Sequence, residues 1–279
     1  MVVSGFLAAI KITAGLMGHS TAVVADGLES AGDVFASGIV LLGLTLAAKP
    51  ADWNHPYGHG RIETVTGLFV GFTLATAGLA ISANALRTII ALPGAAMPPP
   101  APFVVWPLIG SAAAKSLLSG VKFHYGRKIR SAALMADAWN DSVDILSALA
   151  ALAAVSFTIV APHRFASADH WGAFAVGLIV IFTGIRVTRD TTLQLMDTMP
   201  DLESMEKVRN AALTVPGVRG VEKCYARKTG LQYHVDLHLE VDPEITVRQS
   251  HDIATNVRIA IKETLPWVAD VLVHVEPAP

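Results

Sequence analysis

The sequence V-A-D-G-L-E-S-A-G-D, residues 24–33, lies early in an apolar run that extends from Ala22 to Ala47. Glu29 and Asp33 are four residues apart, so on a helix their side chains lie one above the other on one face. Carboxylates are costly in a helix that is apolar enough to span a membrane, and where they occur they mark ion or proton pathways. The run therefore predicts a membrane-spanning helix with a functional acidic face.

A second polar pair, Asn140 and Asp144, has the same spacing inside the apolar run from Ser131 to Ala161. The two pairs together supply three carboxylates and one amide, which are the oxygen ligands of a divalent-cation site. The alternative interpretation is that these residues only hydrogen-bond between helices, as polar residues do in membrane bundles. Three carboxylates at close range cannot all stay ionised without a cation, so either a metal or protons must neutralise them. This mutual exclusion predicts exchange of metal for protons.

The ligand type bears on the metal, and two further acidic residues bear on the protons. Oxygen ligands favour Mn²⁺, Mg²⁺ or Fe²⁺ over Zn²⁺, which prefers imidazole or thiolate. Carboxylates do bind Zn²⁺, and the affinity order favours Zn²⁺ over Mn²⁺, so Zn²⁺ and Co²⁺ stay as alternatives. Asp26 and Asp137 lie three residues before Glu29 and Asn140. Each is a candidate partner of the ligands, a candidate proton carrier or an inter-helix hydrogen-bond partner.

Composition places the chain among polytopic membrane proteins. Of its 279 residues 52% are hydrophobic and only 16% are charged, against about 25% charged in an ordinary soluble domain. The net charge of −2 gives no reason to expect nucleic acid, and the single cysteine excludes a disulfide framework. We read the start as a first span rather than a signal peptide; it is short, so the helix begins at the first residue or the true start lies upstream. Six apolar runs predict six spans, at about residues 1–17, 21–47, 63–91, 102–123, 131–161 and 171–188.

The composition changes near Thr191, and we predict a transmembrane domain over residues 1–190 and a second domain over residues 191–279. The tail reads as a helix, two strands, a helix and a strand, which fits a small α+β domain of αββαβ order. Basic residues concentrate in the loops after the second and fourth runs and after the sixth. By the positive-inside rule both termini and the tail are cytoplasmic, and the compact chain without a long His-rich loop favours a bacterial inner membrane.

Two further groups of potential ligands lie outside the spans. The stretch A-D-W-N-H-P-Y-G-H-G-R, residues 51–61, holds Asp52, His55 and His59, and its alternative interpretation is a polar turn rich in Pro and Gly. The tail carries several more polar residues, and their convergence would make a regulatory metal site, whereas a lone histidine would be structural. These tail residues are His234, Asp236, His238, His251, His274 and Glu276.

These motifs resemble those of the cation diffusion facilitators, six-span divalent-metal/proton antiporters that work as homodimers. The resemblance rests on A-D-G-L-E-S-A-G-D, H-P-Y-G-H-G-R-I-E-T, A-D-A-W-N-D-S-V-D and, in the tail, L-H-L-E-V-D-P and V-H-V-E-P. It covers essentially the whole chain and implies a cytoplasmic domain similar to metallochaperones, which pairs on binding metal. It places three metal sites here. They are a transport site (Glu29, Asp33, Asn140, Asp144), a loop site (Asp52, His55, His59) and a cytoplasmic site (His238, His251, His274, Glu276).

The sequence departs from the zinc-transporting pattern of that family. Zinc members usually carry His or Asp at the position of Glu29 and His at that of Asn140, so the resemblance favours manganese or iron export. The tail has Glu222 where some members have an additional His. We also predict a charge pair between Arg61 and Asp197 at the membrane boundary, which helps to hold the dimer or couples the tail to the helices.

The function predicted from the sequence is proton-coupled efflux of divalent metal from the cytoplasm, with metal as substrate and regulator and lipid as the surrounding partner. A non-transporting partner or metal sensor of the same fold is the alternative. An enzyme is not expected, because no zinc-hydrolase motif such as H-E-x-x-H is present.

Overall fold

The computed structural model describes residues 2–91, 99–128, 132–162 and 164–279. Its N-terminal part is helical, with a short 3₁₀ turn at Pro102–Val104. The six helices of this part are α1 (Val2–Met17), α2 (Thr21–Ala47), α3 (Arg61–Ala91), α4 (Val105–Lys128), α5 (Ala132–Val160) and α6 (Ala168–Leu195). The C-terminal part comprises α7 (Leu202–Leu213), β1 (Val218–Thr229), β2 (Gln232–Val241), α8 (Val247–Thr264) and β3 (Val268–Pro277).

Within the described residues, five helical segments are long and apolar enough to cross a membrane, and the apolar helix Ser4–Met17 is shorter. The five are Thr21–Ala47, Arg61–Ala91, Pro102–Tyr125, Asp141–Val160 and Ala168–Leu195. Together with the C-terminal α+β domain they confirm the predicted fold class. The sixth helix is longer than its apolar run, because it includes polar residues at both ends, among them the buried Asp169 in its first turn.

Asp169 shows how polar groups are satisfied inside the helical part. Its carboxylate accepts hydrogen bonds from the Thr21 backbone N–H at 2.6 Å and from the Ser20 hydroxyl at 2.5 Å. These donors lie at the start of α2, where backbone N–H groups have no partner within the helix and favour a negative charge. A residue of α6 therefore caps α2, and the cap ties the two helices together at one end.

The chain forms two compact units by its contacts, Met1–Ile39 with Phe69–Thr188 and Val40–Leu68 with Arg189–Pro279. In the first unit, α3 and α6 pack closely through small residues. A Cβ atom on Gly78 would meet the backbone nitrogen of Ile181 at 2.7 Å. Small residues that let helix backbones approach are the usual basis of helix packing in membranes.

The second unit contains a three-stranded sheet in the order β1-β2-β3, with β1 and β2 antiparallel and β2 and β3 parallel. The parallel pair is joined through α8, and a capping box of Thr246 and Gln249 begins that helix. Along β2 the apolar side chains face a core shared with α7 and α8. The strand alternates as predicted, so its polar residues share the opposite face. The buried residues of β2 are Val235, Leu237, Leu239 and Val241.

Candidate metal sites

The acidic residues of α2 and α5 come together inside the helical part. Glu29 and Asp144 are 7% and 8% exposed. The Ser147 hydroxyl of α5 donates a hydrogen bond to Glu29, which joins α5 to α2. Glu29, Asp33 and Asp144 are close enough for their charges to interact. Three of the four residues predicted for a transport site therefore lie near one another, Glu29 and Asp144 buried and Asp33 half-buried.

The fourth residue, Asn140, belongs to α5 one helical turn before Asp144. Its side chain and that of Asp137 lie outside the residues whose side chains the structure describes. The ligand set therefore stays a prediction, in which Asn140 precedes Asp144 by four residues in the sequence.

Lys115 of α4 lies between two of these carboxylates, and the sequence analysis did not predict this role. Its Nζ is 2.8 Å from Asp144 Oδ2 and 3.7 Å from Asp33 Oδ2. The residue is 9% exposed. A lysine inside an apolar run is as costly as an acid there, so the sequence A-A-A-K-S, residues 112–116, carried a signal that could have found it.

Two more lysines hold the other acids of this region. Lys11 of α1 forms a 2.8 Å ion pair with Asp26 and donates a 2.6 Å hydrogen bond to Ser30. Asp26 therefore makes an ion pair between α1 and α2. Lys122 of α4 lies 2.6 Å from Asp141. Among the described residues, these ion pairs connect α1 to α2 and α4 to α5.

The predicted loop ligands converge in the short segment between α2 and α3. One ligand atom each from Asp52, His55 and His59 lies within 4.8 Å of the other two. The backbone N–H of His55 donates a 2.7 Å hydrogen bond to the Asp52 carboxylate. This bond lowers the pKa of Asp52 below its ordinary value. Gly58 at φ 78° makes the tight turn between the two histidines. The loop can therefore offer two imidazoles and an ionised carboxylate from an exposed position.

The same loop packs on the sheet of its unit. The Tyr57 ring stands edge-on to His234, with 6.0 Å between the ring centroids, and the guanidinium of Arg227 lies over the Tyr57 ring. Burial, followed by the positive charge of Arg227, lowers the pKa of His234. Loop and strand residues line a cavity of about 500 Å³. His234 therefore packs beneath the loop, apart from the tail ligand cluster.

That tail cluster forms where β2 and β3 run side by side. His238 and His274 are register partners, and one ligand atom from each lies within 4.8 Å of one on Glu276. Hydrogen bonds with Glu222 and with His238 hold the pKa of Glu276 below its ordinary value. Glu222 Oε2 is 3.9 Å from His238 Nδ1. Glu222 therefore adds a second carboxylate to the tail cluster.

Three other predicted residues of this unit are placed as follows. His251 is exposed on α8 and does not belong to the group of three tail ligands found among the described residues. Arg61 donates a 2.8 Å hydrogen bond to Asp197, which confirms the predicted contact between these two residues. Both side chains of this pair are about half exposed, and Asp197 has the left-handed φ of 56°.

Comparison with known families decides the class of protein. Residues 1–196 match the model of the cation efflux transmembrane domain, and residues 200–278 match that of the cation efflux protein cytoplasmic domain. The chain belongs to the cation diffusion facilitators. It is therefore a multi-pass membrane protein of a transporter family and moves metal cations outward. Its C-terminal domain is of the dimerising type found in this family.

Relatives of this facilitator cover nearly its whole length. The manganese efflux system protein MneP of Bacillus subtilis is 31% identical over 275 residues, which are 97% of this chain and 91% of the relative. Metal tolerance protein C1 of Arabidopsis thaliana is 30% identical over 98% of this chain, which spans 60% of that protein. A solved C-terminal domain, MamM-CTD, is 34% identical over 28% of this chain and 100% of its own, with a TM-score of 0.27.

Proposed function

We propose that this facilitator exports a divalent metal, Mn²⁺ or Fe²⁺ before Zn²⁺ or Co²⁺, in exchange for protons. The observation that carries the proposal is the proximity of three carboxylates inside the helical part, the buried Glu29 and Asp144 and the half-buried Asp33. Oxygen ligands favour harder divalent ions. The relatives named as manganese efflux proteins, MneP and MneS of Bacillus subtilis, support the same choice.

The exchange follows from charge. In the inward-facing state, deprotonated carboxylates take up the metal, with Asn140 as the fourth ligand. When the site opens to the other side, protons bind to the carboxylates and the metal leaves, because metal and protons cannot occupy the same oxygens. Inward movement of the protons then restores the starting state. Asp137 is the candidate proton carrier or ligand partner on α5.

The two exposed clusters serve capture and regulation in this proposal. Asp52, His55 and His59 attract metal to the entrance, and the tail residues bind it as a regulator of the homodimer. The tail set is His238, His274 and Glu276 with Glu222, and His251 joins it if the start of α8 moves toward the strands. The membrane is a bacterial inner membrane, with both termini in the cytoplasm as the distribution of basic residues indicates.

The test is metal-dependent proton flux in proteoliposomes that contain the purified protein alone, with Mn²⁺, Fe²⁺, Zn²⁺, Co²⁺ and Cd²⁺. We expect Mn²⁺ or Fe²⁺ to give the largest flux. Replacement of Asp144 by Asn should lower it by about two orders of magnitude, since loss of a charged ligand costs several kcal/mol. Asp141→Asn is the matched control on the same helix and should keep the metal preference of the wild type.

Each contrary result has a definite meaning. Flux that survives Asp144→Asn would show that the transport site lies elsewhere. A preference for Zn²⁺ would show that geometry outweighs ligand type. Metal binding without any flux would favour the alternative function, a metal sensor or a partner in a hetero-oligomer.

A further inference from the structure

Lys115 differs from Lys11, a second buried lysine, in the acids with which it pairs. Lys11 pairs with Asp26, and Lys122 pairs with Asp141, neither of which is a proposed transport ligand. Both carboxylates near Lys115 are proposed ligands, one from α2 and one from α5. Its ammonium group therefore lies where the two halves of the proposed site meet.

A divalent metal and this ammonium group cannot hold their places together. A metal bound to Asp144 Oδ2 would lie about 2.2 Å from that oxygen. The oxygen is 2.8 Å from Lys115 Nζ, so the two cations would approach within a few ångströms in a site that is largely closed to water. Charges interact strongly at such distances when little solvent screens them. Binding of the metal therefore requires Lys115 to move away.

The side chain of lysine suits such a movement. It carries a compact point charge on a flexible four-carbon stem, and it can keep its stem in apolar surroundings while its head group moves to a wetter place. A guanidinium would be wider, planar and suited to a fixed bidentate contact. A single ammonium also neutralises only part of the charge of three carboxylates, so it stabilises the empty site less than a divalent metal would.

We propose that Lys115 is a tethered competitor of the transported metal, which occupies the site between Asp33 and Asp144 when metal is absent and is displaced when metal binds. The inference rests on the proposed function and adds a residue that sets its affinity. The return of the ammonium group to Asp144 helps to expel the metal and satisfies the carboxylates of the emptied site. Lys115 thereby lowers the affinity for metal and speeds its release.

The test uses the full-length protein at one fixed pH and compares Mn²⁺ transport with Mn²⁺ binding at the proposed transport site, taken as the binding that Asp144→Asn abolishes. Lys115→Met removes the charge and keeps the apolar stem, Lys115→Gln is a neutral polar variant, and Lys122→Met is the matched control on α4. We expect both Lys115 variants to bind Mn²⁺ at least about ten-fold more tightly than the wild type, because a nearby positive charge has been removed. Their maximal transport rate should fall, because release becomes slow. Lys122→Met should change the dissociation constant by less than about two-fold, since Asp141 is not a proposed ligand.

A fixed structural role for Lys115 predicts a different result for its variants, with weaker Mn²⁺ binding instead of tighter binding. If Lys115 only ties α4 to α5, its removal loosens the site, and both affinity and rate fall; this result would overturn the inference. Unchanged affinity in Lys115→Gln, with a wild-type melting temperature, would also overturn it. Asp144→Asn separates this failure from failure of the proposed function, because Mn²⁺ transport that survives Asp144→Asn would rule out the transport site itself and both proposals with it.

Discussion

The acids inside the spanning helices and the acids of the loop and tail lie in opposite surroundings and have different partners. Inside, Asp26, Asp141 and Asp144 each lie within 2.8 Å of a lysine ammonium group. Outside, both Asp52 and Glu276 have imidazoles as neighbours, and Asp52 is exposed while Glu276 is partly exposed. Water can satisfy the exposed carboxylates, whereas a buried carboxylate needs partners supplied by the protein. For these three buried acids the partners are internal lysines.

The largest effect is expected at the most buried pair, Lys11 with Asp26, whose side chains are 1% and 2% exposed. Removing one partner leaves the other charge buried and unpaired, which costs about 3–5 kcal/mol. Lys11→Met and Asp26→Leu should each destabilise the protein by this amount. The double variant should recover most of the loss, because two apolar side chains replace an ion pair without leaving a charge. The free energy of unfolding in detergent is the measurement.

The control for this pair is the exposed ion pair of Lys207 and Glu203 on α7. Its removal should change the free energy of unfolding by less than about 1 kcal/mol, because surface pairs contribute little. Equal effects at the two pairs would contradict the comparison between buried and exposed acids. It would mean that water reaches Lys11 and Asp26 in the folded protein.

An intermediate effect is expected at Glu222, the carboxylate that the structure adds to the tail cluster. In a background that carries Asp144→Asn, Glu222→Gln should weaken Mn²⁺ binding by the tail about ten-fold, as loss of a supporting ligand does. Glu263→Gln on the exposed face of α8 is the control. Equal Mn²⁺ affinity in Glu222→Gln and the control would exclude Glu222 from the tail site.

The neighbouring Glu276 has a pKa below its ordinary value of 4.5. The contribution of the ionised Glu276 to stability is therefore present at neutral pH and is lost only as the pH falls below 4.5.

The sequence predicted what depends on local pattern, and it missed what depends on neighbours in space. The positions of the helices follow from apolar runs, and the polar face of β2 follows from strict alternation. The partners of Lys11 and Lys115 lie on other helices, which periodicity cannot identify. The place of Glu222 depends on an irregularity of β1 between Val221 and Cys224, where the register with β2 shifts. Such a bulge re-aims side chains, and composition gives no warning of it.

The same limit applies to the loop. Its three ligand residues were recognisable from their types and spacing, and they do converge. The packing of Tyr57 and Gly60 against the sheet of their own unit was not predicted. A Cβ atom on Gly60 would meet the backbone of Thr229 at 2.7 Å, so glycine permits this close approach of the loop to the turn between β1 and β2. Such a close approach of two backbones cannot be predicted from local pattern, because it joins residues that are far apart in the sequence.

The smallest effect is expected at the ion pair of Arg61 and Asp197, which was predicted from sequence and is half exposed. A double-mutant cycle with Arg61→Gln and Asp197→Asn should give a coupling energy of about 0.2–1 kcal/mol that falls with added salt. Asn is the suitable replacement at Asp197, because it tolerates the left-handed φ of 56° found there. Any loss then reports the charge and not backbone strain.

The stability cycle can be compared with transport and dimer cross-linking in the same variants. If the pair couples the tail to the helices, each single variant should clearly lower the transport rate. This loss should be larger than the small change in folding stability would explain. Wild-type transport and cross-linking in both single variants would mean that the contact is incidental. In that case the exposed charges of this boundary would differ from the buried ones in function as well as in energy, because their removal costs neither stability nor transport.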